Sequence, residues 1–120
     1  MRHRGFFIML LDGEVLMQVK IYNKGIYTVA GLSGEIDEYS APGLREKLDK
    51  GLSGENVSKN ILFDMSGVTF MDSTGIGVLL GRYKLLKKSG KNMFICNPDA
   101  QVDRVLRTIG IYTIMKKVSV

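Results

Sequence analysis

Hydrophobic residues recur along this chain with two different spacings. Alternating or short unbroken apolar segments predict strands, and apolar residues three or four positions apart predict amphipathic helices. Strands are predicted at 18–22, 26–32, 60–65, 93–96 and 112–115. Helices are predicted at 75–88, at 102–109 and after Ser40, which would cap a helix with the apolar positions Leu44, Leu48 and Leu52.

The order of these elements, ββαβαβαβ, defines the expected fold. The turn Asn23-Lys24-Gly25 joins the first two strands as a hairpin, and 33–37 is predicted to be a loop. Strands that alternate with helices pair in parallel through right-handed crossovers. We therefore expect one α/β domain, in which a mixed and mostly parallel sheet of four to five strands packs against helices.

The net charge of the chain bears on the kinds of partner it can bind. It has 17 basic and 12 acidic residues, for a net charge of +5. Arg82 and the lysines near it are expected off the apolar stripe of the 75–88 helix, on its solvated face. No aromatic side chains are interleaved with these lysines to stack nucleic acid bases. We therefore predict no direct contact with nucleic acid.

The first 16 residues have a separate interpretation. The apolar segment 6–11 is far shorter than the ~20 residues that cross a bilayer, and no small-residue cleavage site follows it. The codons for Gly13-Glu14-Val15 can contain a purine-rich ribosome-binding sequence at a suitable distance before Met17. We hypothesise that translation starts at Met17, so that 1–16 are an extension and 17–120 form the domain, and we predict no membrane contact.

Side chains for catalysis or metal binding are scarce. His3 is the only histidine and Cys96 the only cysteine. A zinc site of several histidines and cysteines, or a Ser-His-Asp triad with a histidine held in the fold, therefore lacks its parts. Cys96 ends an apolar segment, which predicts a small buried side chain, and the absence of disulfides fits a reducing, cytoplasmic compartment. We predict no catalytic residue, no metal and no cofactor.

The segment 71–77, Met-Asp-Ser-Thr-Gly-Ile-Gly, joins a buried strand to an amphipathic helix. Ser73 is expected at the N-cap, where free N–H groups and the helix dipole would stabilise a phosphate on its hydroxyl. The residues alone leave two interpretations open: Ser73 is a phosphoacceptor, or it only caps the helix while Gly75 and Gly77 permit close packing. A P-loop lacks its lysine, and a nucleophile elbow lacks its first glycine because Met71 stands there.

Two separated motifs carry a resemblance to a known family. Gly34-Glu35-Ile36-Asp37 and the segment 70–84, which begins Phe70-Met71-Asp72-Ser73-Thr74-Gly75, resemble the two signatures of the anti-sigma factor antagonists, which are STAS domains. Its end, Leu80-Gly81-Arg82-Tyr83-Lys84, is most similar to the sporulation members. The resemblance spans about Met17 to the C-terminus and agrees with the predicted order of elements.

The resemblance implies a switch between partners controlled by phosphorylation. An antagonist of this family binds an anti-sigma factor that is also an ATP-dependent serine kinase, and so releases the sigma factor. The kinase inactivates the antagonist by phosphorylating the serine that corresponds to Ser73, and a PP2C-type phosphatase restores it. By position, the implied partner-binding residues are Glu35, Asp37, Asp72, Thr74, Gly75, Ile76, Gly77 and Arg82. Asp37 would pair with a basic residue of the kinase, and the protein itself is not an enzyme.

Three features depart from the sporulation members. Glu38 and Tyr39 stand where these often have two histidines, Thr74 replaces a second serine, and the net charge is positive. The alternatives are an antagonist in a stress-response sigma pathway, a STAS module that binds a small ligand without being phosphorylated, and a hydrolase that uses Ser73.

Overall fold

The computed structural model describes the backbone of residues 2–120 and the side chains from Gly5 onward. Over these residues one sheet of six strands carries three α-helices. The strands are β1 (Arg2–Leu11), β2 (Glu14–Lys24), β3 (Tyr27–Ile36), β4 (Asn60–Met71), β5 (Asn92–Cys96) and β6 (Lys116–Lys117). The helices are α1 (Ala41–Gly51), α2 (Ser73–Lys88) and α3 (Ala100–Ile109).

The strands lie side by side in chain order, from β1 to β6. The pairs β1–β2 and β2–β3 are antiparallel, and the three pairs from β3 to β6 are parallel. Because right-handed crossovers that all step in one direction place their helices on one face, α1, α2 and α3 share a face of the sheet and enclose the main core there. The α/β class and the mixed sheet are confirmed, with six strands rather than four to five.

Strand β1 accounts for part of the difference, because no strand was predicted before residue 18. Its inward side chains Phe7 and Met9 pack against the core, while Phe6 and Leu10 on the other face are 53% and 58% exposed. Since both faces are apolar, β1 lacks the alternation of apolar and polar residues that marks a half-buried strand. The start at Met17 stays a prediction, to be checked by N-terminal sequencing of the native protein.

Strands β3 and β4 extend beyond their predicted ends. The predicted loop 33–37 is wrong, because β3 continues to Ile36, and β4 continues to Met71 rather than ending at Met65. Gly34 makes the extension of β3 possible. It has φ +102°, and a Cβ there would collide with the backbone of Leu16 on the adjacent strand. A glycine that suggests a loop locally therefore permits close approach of two strands.

Helix α2 buries a wider face than predicted. The expectation that Arg82 lies on the solvated face is wrong: it is 8% exposed and lies beside α1, with Nε 2.9 Å from Asp49 Oδ1. Val78 is also buried, whereas Leu80 and Tyr83 of the predicted stripe are only half-buried. Helix α1 begins after Ser40 as predicted, but the Ser40 side chain makes no capping hydrogen bond to it.

The C-terminal part combines confirmed and wrong predictions. Asp99 caps α3 by accepting a hydrogen bond from Val102 N, and Cys96 is buried as predicted. The strand predicted at 112–115 is wrong, since a 3-10 turn covers Ile111–Thr113 and the short β6 follows it. Within the described residues no helix combines the length and the apolar character that a bilayer crossing demands.

Candidate functional site

The carboxyl ends of β3 and β4 place the two sequence motifs side by side. The strands are parallel neighbours, with Glu35 opposite Phe70 and Ile36 opposite Met71. Asp37 therefore leaves the sheet beside Asp72, and the first turn of α2 follows at once. Parallel strands in α/β sheets characteristically present their functional loops at this edge. We call the group Glu35, Asp37, Asp72, Ser73 and Gly77 the candidate surface.

Asp72, rather than Ser73, is the N-cap of α2. Its backbone is extended, and its Oδ1 accepts hydrogen bonds from Thr74 N at 2.9 Å and Gly75 N at 3.2 Å. Ser73 is the first helical residue and is exposed, and its hydroxyl makes no hydrogen bond to any residue in the described part of the chain. The prediction that Ser73 caps the helix is therefore wrong. The Ser73 hydroxyl therefore has no capping role in α2.

Asp37 organises the turn between β3 and α1. Its Oδ1 accepts hydrogen bonds from Tyr39 N and Ser40 N, both at 3.0 Å. The Ser40 hydroxyl donates to the Glu35 carbonyl at 2.8 Å and accepts from Asp37 N at 3.1 Å. These bonds involve one carboxylate oxygen of Asp37 and leave Oδ2 without a hydrogen bond to the described residues. A charge contact with a partner and a structural role are therefore compatible at this residue.

Two of the predicted partner-binding residues lie beneath the candidate surface. A Cβ on Gly75 would come within 2.9 Å of the Ile36 carbonyl oxygen, so this glycine lets α2 start directly against the end of β3. Ile76 is 4% exposed and belongs to the core. Gly77 differs, because it is exposed and a Cβ there would meet nothing within 4 Å. Thr74 is half-buried between these two environments.

The structure does not bring Arg82 to the candidate surface. It is nine residues after Ser73, which is ~13 Å along the helix axis and on the opposite side of α2. Its guanidinium packs between α1 and α2 beside Asp49. Arg82 therefore belongs to a different environment, described below.

Two exposed aromatic residues next to the candidate surface were missed by the sequence reasoning. Phe70 is 40% exposed at the end of β4, and Tyr39 is 60% exposed after Asp37. Tyr39 also borders a shallow cavity of about 180 Å³ together with Leu11, Leu16, Glu35 and Asp37. Large exposed apolar side chains mark contact surfaces when they lie together. Phe70 would have been noticed if β4 had been extended through Met71.

The chemistry of this edge is limited to a hydroxyl among carboxylates. No histidine occurs in residues 4–120, and in the region the structure describes no three His, Cys, Asp or Glu side chains group as metal ligands. The Ser73 hydroxyl therefore has no neighbouring base that would make it a strong nucleophile.

Comparisons with known proteins agree with this architecture. An anti-sigma F factor antagonist from Paenibacillus polymyxa is 34% identical over 94 residues, which are 78% of this chain and 79% of that protein. An anti-sigma-B factor antagonist from Bacillus subtilis is 38% identical over 84 residues, 70% of this chain and 74% of that protein. The solved structure of the unphosphorylated anti-sigma factor antagonist SpoIIAA superposes with a TM-score of 0.68 at 24% identity, covering 84% of this chain and 88% of that one.

These relatives are regulatory proteins and not enzymes, as the sequence predicts for this chain. The structural likeness, at 24% identity, concerns the fold. The family model for the STAS domain matches residues 18–119. The resemblance seen in the two sequence motifs is thus confirmed, and the chain belongs to the STAS domain family.

Proposed function

We propose that this protein is a cytoplasmic anti-sigma factor antagonist whose binding to an anti-sigma factor kinase is switched off by phosphorylation of Ser73. The observation that carries the proposal is the exposed Ser73 hydroxyl, which makes no hydrogen bond to the described residues because Asp72 caps α2 in its place. Ser73 can therefore be phosphorylated and dephosphorylated without removing the N-cap of α2. The names of the relatives support the class of partner.

The candidate surface is acidic before any modification. Glu35 is exposed, and in the described structure neither it nor Asp37 or Asp72 forms an ion pair. A complementary partner would carry basic residues opposite Glu35 and Asp37. A phosphate would add about −1.5 to −2 charges. It weakens binding because the partner is proposed to place a carboxylate or a buried apolar group directly opposite Ser73.

The geometry of α2 favours a tightly packed contact at that point. Ser73 and Gly77 are four residues apart and lie on one face of the helix. Because Gly77 has no side chain and nothing near it, a partner backbone can approach α2 closely there. A phosphate of ~1.8 charges placed about 5 Å from a partner carboxylate would cost roughly 6 kcal/mol at an effective dielectric near 20. Inverting a 99:1 equilibrium requires ~5.5 kcal/mol, so a phosphate opposite such a partner carboxylate suffices without refolding the domain.

The phosphoryl transfer itself depends on the partner. The Ser73 oxygen attacks the γ-phosphorus of ATP, the bond to ADP breaks, and the hydroxyl proton passes to a base of the kinase. Asp72 is the carboxylate next to Ser73, and its Oδ1 already accepts two backbone hydrogen bonds that cap α2. The base is therefore assigned to the kinase. A PP2C-type phosphatase would hydrolyse the phosphoserine and return the antagonist to its binding form.

Two variants of Ser73 test the proposal. Ser73→Ala should bind the kinase, resist labelling by ATP and keep its melting temperature, since Asp72 still caps α2. Thr74→Ala is the matched control, because it removes the neighbouring hydroxyl and should still be labelled. Mass spectrometry after incubation with the kinase measures the outcome. Full labelling of Ser73→Ala would exclude Ser73 as the site. Ser73→Asp should weaken kinase binding in calorimetry, but less than the phosphate does.

A second pair of variants separates the two roles of Asp37. Asn at this position keeps an oxygen to accept the Tyr39 and Ser40 N–H groups, whereas Ala removes both the oxygen and the charge. Asp37→Asn should therefore keep the melting temperature and lower kinase affinity, while Asp37→Ala should lower both. If Asp37→Asn binds the kinase like the wild type, the charge of Asp37 is not part of the contact.

The pathway is proposed from the motif Leu80-Gly81-Arg82-Tyr83-Lys84, which is most similar to the sporulation members. The relatives include antagonists of both an anti-sigma F and an anti-sigma-B factor, at 34% and 38% identity. The second candidate is therefore a stress-response antagonist. Affinities measured side by side for the two kinds of anti-sigma factor decide between them, and tighter binding to the sporulation kinase is expected.

A further inference from the structure

A cleft opens between the far ends of α1 and α2, on the side away from Ser73. Its volume is about 270 Å³, and its floor is formed by Leu48, Leu52 and Leu86, which are all buried. Arg82, Asp49 and Lys91 are the charged residues in its walls. Apart from Arg82, which the family resemblance implies as partner-binding, the proposed antagonist function uses none of the residues in this cleft.

Arg82 is the unusual residue of the cleft. Its side chain is only 9% exposed. In the described structure its Nε and Nη1 atoms are buried and donate no well-aligned hydrogen bond. Nε lies 2.9 Å from Asp49 Oδ1, so the two groups attract each other as ions without a well-directed hydrogen bond. Asp49 is itself 47% exposed and shared with solvent. Because Nε and Nη1 are closed to solvent, an acceptor in the cleft would reach the guanidinium through its remaining nitrogen, Nη2.

The walls of the cleft select the kind of acceptor. Arg82 can donate a charge-assisted hydrogen bond to a carboxylate or phosphate, and Lys91 adds a second positive charge. However, α1 ends at Gly51 and α2 at Lys88, so the partial negative charges of two helix C-termini, together with Asp49, disfavour a dianion. Leu85, which is 48% exposed in the cleft wall, favours a ligand with an apolar body.

We propose that this cleft binds a small amphipathic carboxylate, such as a short aliphatic or aromatic acid. The carboxylate would accept a hydrogen bond from Arg82 Nη2, and the apolar body would cover Leu85 and the exposed edges of Leu52 and Leu86. The volume lies just below the ~300–1,000 Å³ of typical ligand pockets, which restricts the ligand to a small molecule. Asp49 competes with the ligand for Arg82.

The test uses the full chain and titrates it with hexanoate and benzoate in the millimolar range, followed by two-dimensional amide NMR. Hexanol and benzyl alcohol are the uncharged controls, and inorganic phosphate is the control without an apolar body. Both acids should shift amides of 48–54 and 82–91. Arg82→Met should weaken binding about tenfold, as expected for loss of a charge-assisted hydrogen bond. Asp49→Asn should strengthen binding by removing the competitor, and Lys84→Gln, an exposed lysine outside the cleft, should change nothing.

Because Arg82→Met removes a buried charge and its pairing with Asp49, its fold is checked by circular dichroism, and Arg82→Lys serves as a milder variant with the same expected direction. Equal shifts from the alcohols or from phosphate alone would overturn the proposal, as would the absence of shifts or unchanged binding in Asp49→Asn. If no acid binds and Arg82→Lys instead weakens anti-sigma factor binding, Arg82 belongs to the partner surface that the family resemblance implies.

Discussion

The two glycines at the start of α2 give the sharpest prediction, because the same substitution should act in opposite directions at positions two residues apart. A Cβ at Gly75 would lie 2.7 Å from Met71 Cγ, 2.9 Å from the Ile36 oxygen and 3.0 Å from Ile36 Cγ2, where ordinary contacts begin near 3.4 Å. A Cβ at Gly77 would meet nothing within 4 Å. Both residues are helical, so both gain the same helix propensity when replaced by alanine.

The magnitudes follow from these distances. Overpacking of about 0.5 Å against a strand carbonyl costs roughly 1–3 kcal/mol, and the gain of ~0.5–1 kcal/mol from replacing a helical glycine offsets part of it. Gly75→Ala should therefore lose about 1–2 kcal/mol, or roughly 4–8 °C in melting temperature. Gly77→Ala should gain ~0.5–1 kcal/mol, yet weaken binding to the anti-sigma factor by placing a methyl group on the candidate surface.

Urea and thermal unfolding of both variants, with calorimetry against the anti-sigma factor, measure the two effects on the same samples. A Gly75→Ala protein as stable as the wild type would refute the packing of α2 on the end of β3. A Gly77→Ala protein that binds as tightly as the wild type would remove this face of α2 from the proposed contact.

Two further predictions concern groups outside the site. Hydrogen bonds from Tyr112 and Lys117 hold the pKa of Asp103 well below its usual range. The stability that ionised Asp103 adds to the fold is therefore fully present above the unfolded pKa near ~3.9 and is lost as pH falls further. Asp103→Asn should be less stable at neutral pH and lose less stability in acid; an unchanged acid profile contradicts this. Burial raises the pKa of Cys96 to about 11, so a thiol reagent at neutral pH should label it only after unfolding, and rapid native labelling contradicts this.

Sequence patterns identified α2, α3 and β5 because their apolar spacing and caps are local properties. They assigned the N-cap of α2 to the wrong residue, since Asp72 and Ser73 are adjacent and both residue types cap helices well. The capping residue is decided by backbone geometry, which is extended at Asp72. The burial of Arg82 also could not be predicted from the local sequence, because it depends on Asp49 of another helix.

Tertiary contacts determine the remaining differences. The 3-10 turn replaces a predicted strand where Tyr112 donates a 2.6 Å hydrogen bond to Asp103, nine residues earlier in α3. The candidate surface itself depends on the register between β3 and β4, which sets Glu35 opposite Phe70. The family resemblance pointed to both motifs, but only the parallel pairing shows why residues 35 and 70 meet.

The position of Ser73 has a consequence for how a kinase would recognise it. Many kinases bind their substrates as extended peptides, whereas Ser73 opens a helix of 16 residues that directly follows a strand of 12 residues. Fitting this segment into an extended groove would require α2 to unwind and lose its packing on the sheet. The substrate in the proposed reaction is therefore the folded surface formed by two strand ends. A peptide copied from 66–80 would lack the residues of β3, and should be a poor substrate however well it matches the sequence around Ser73.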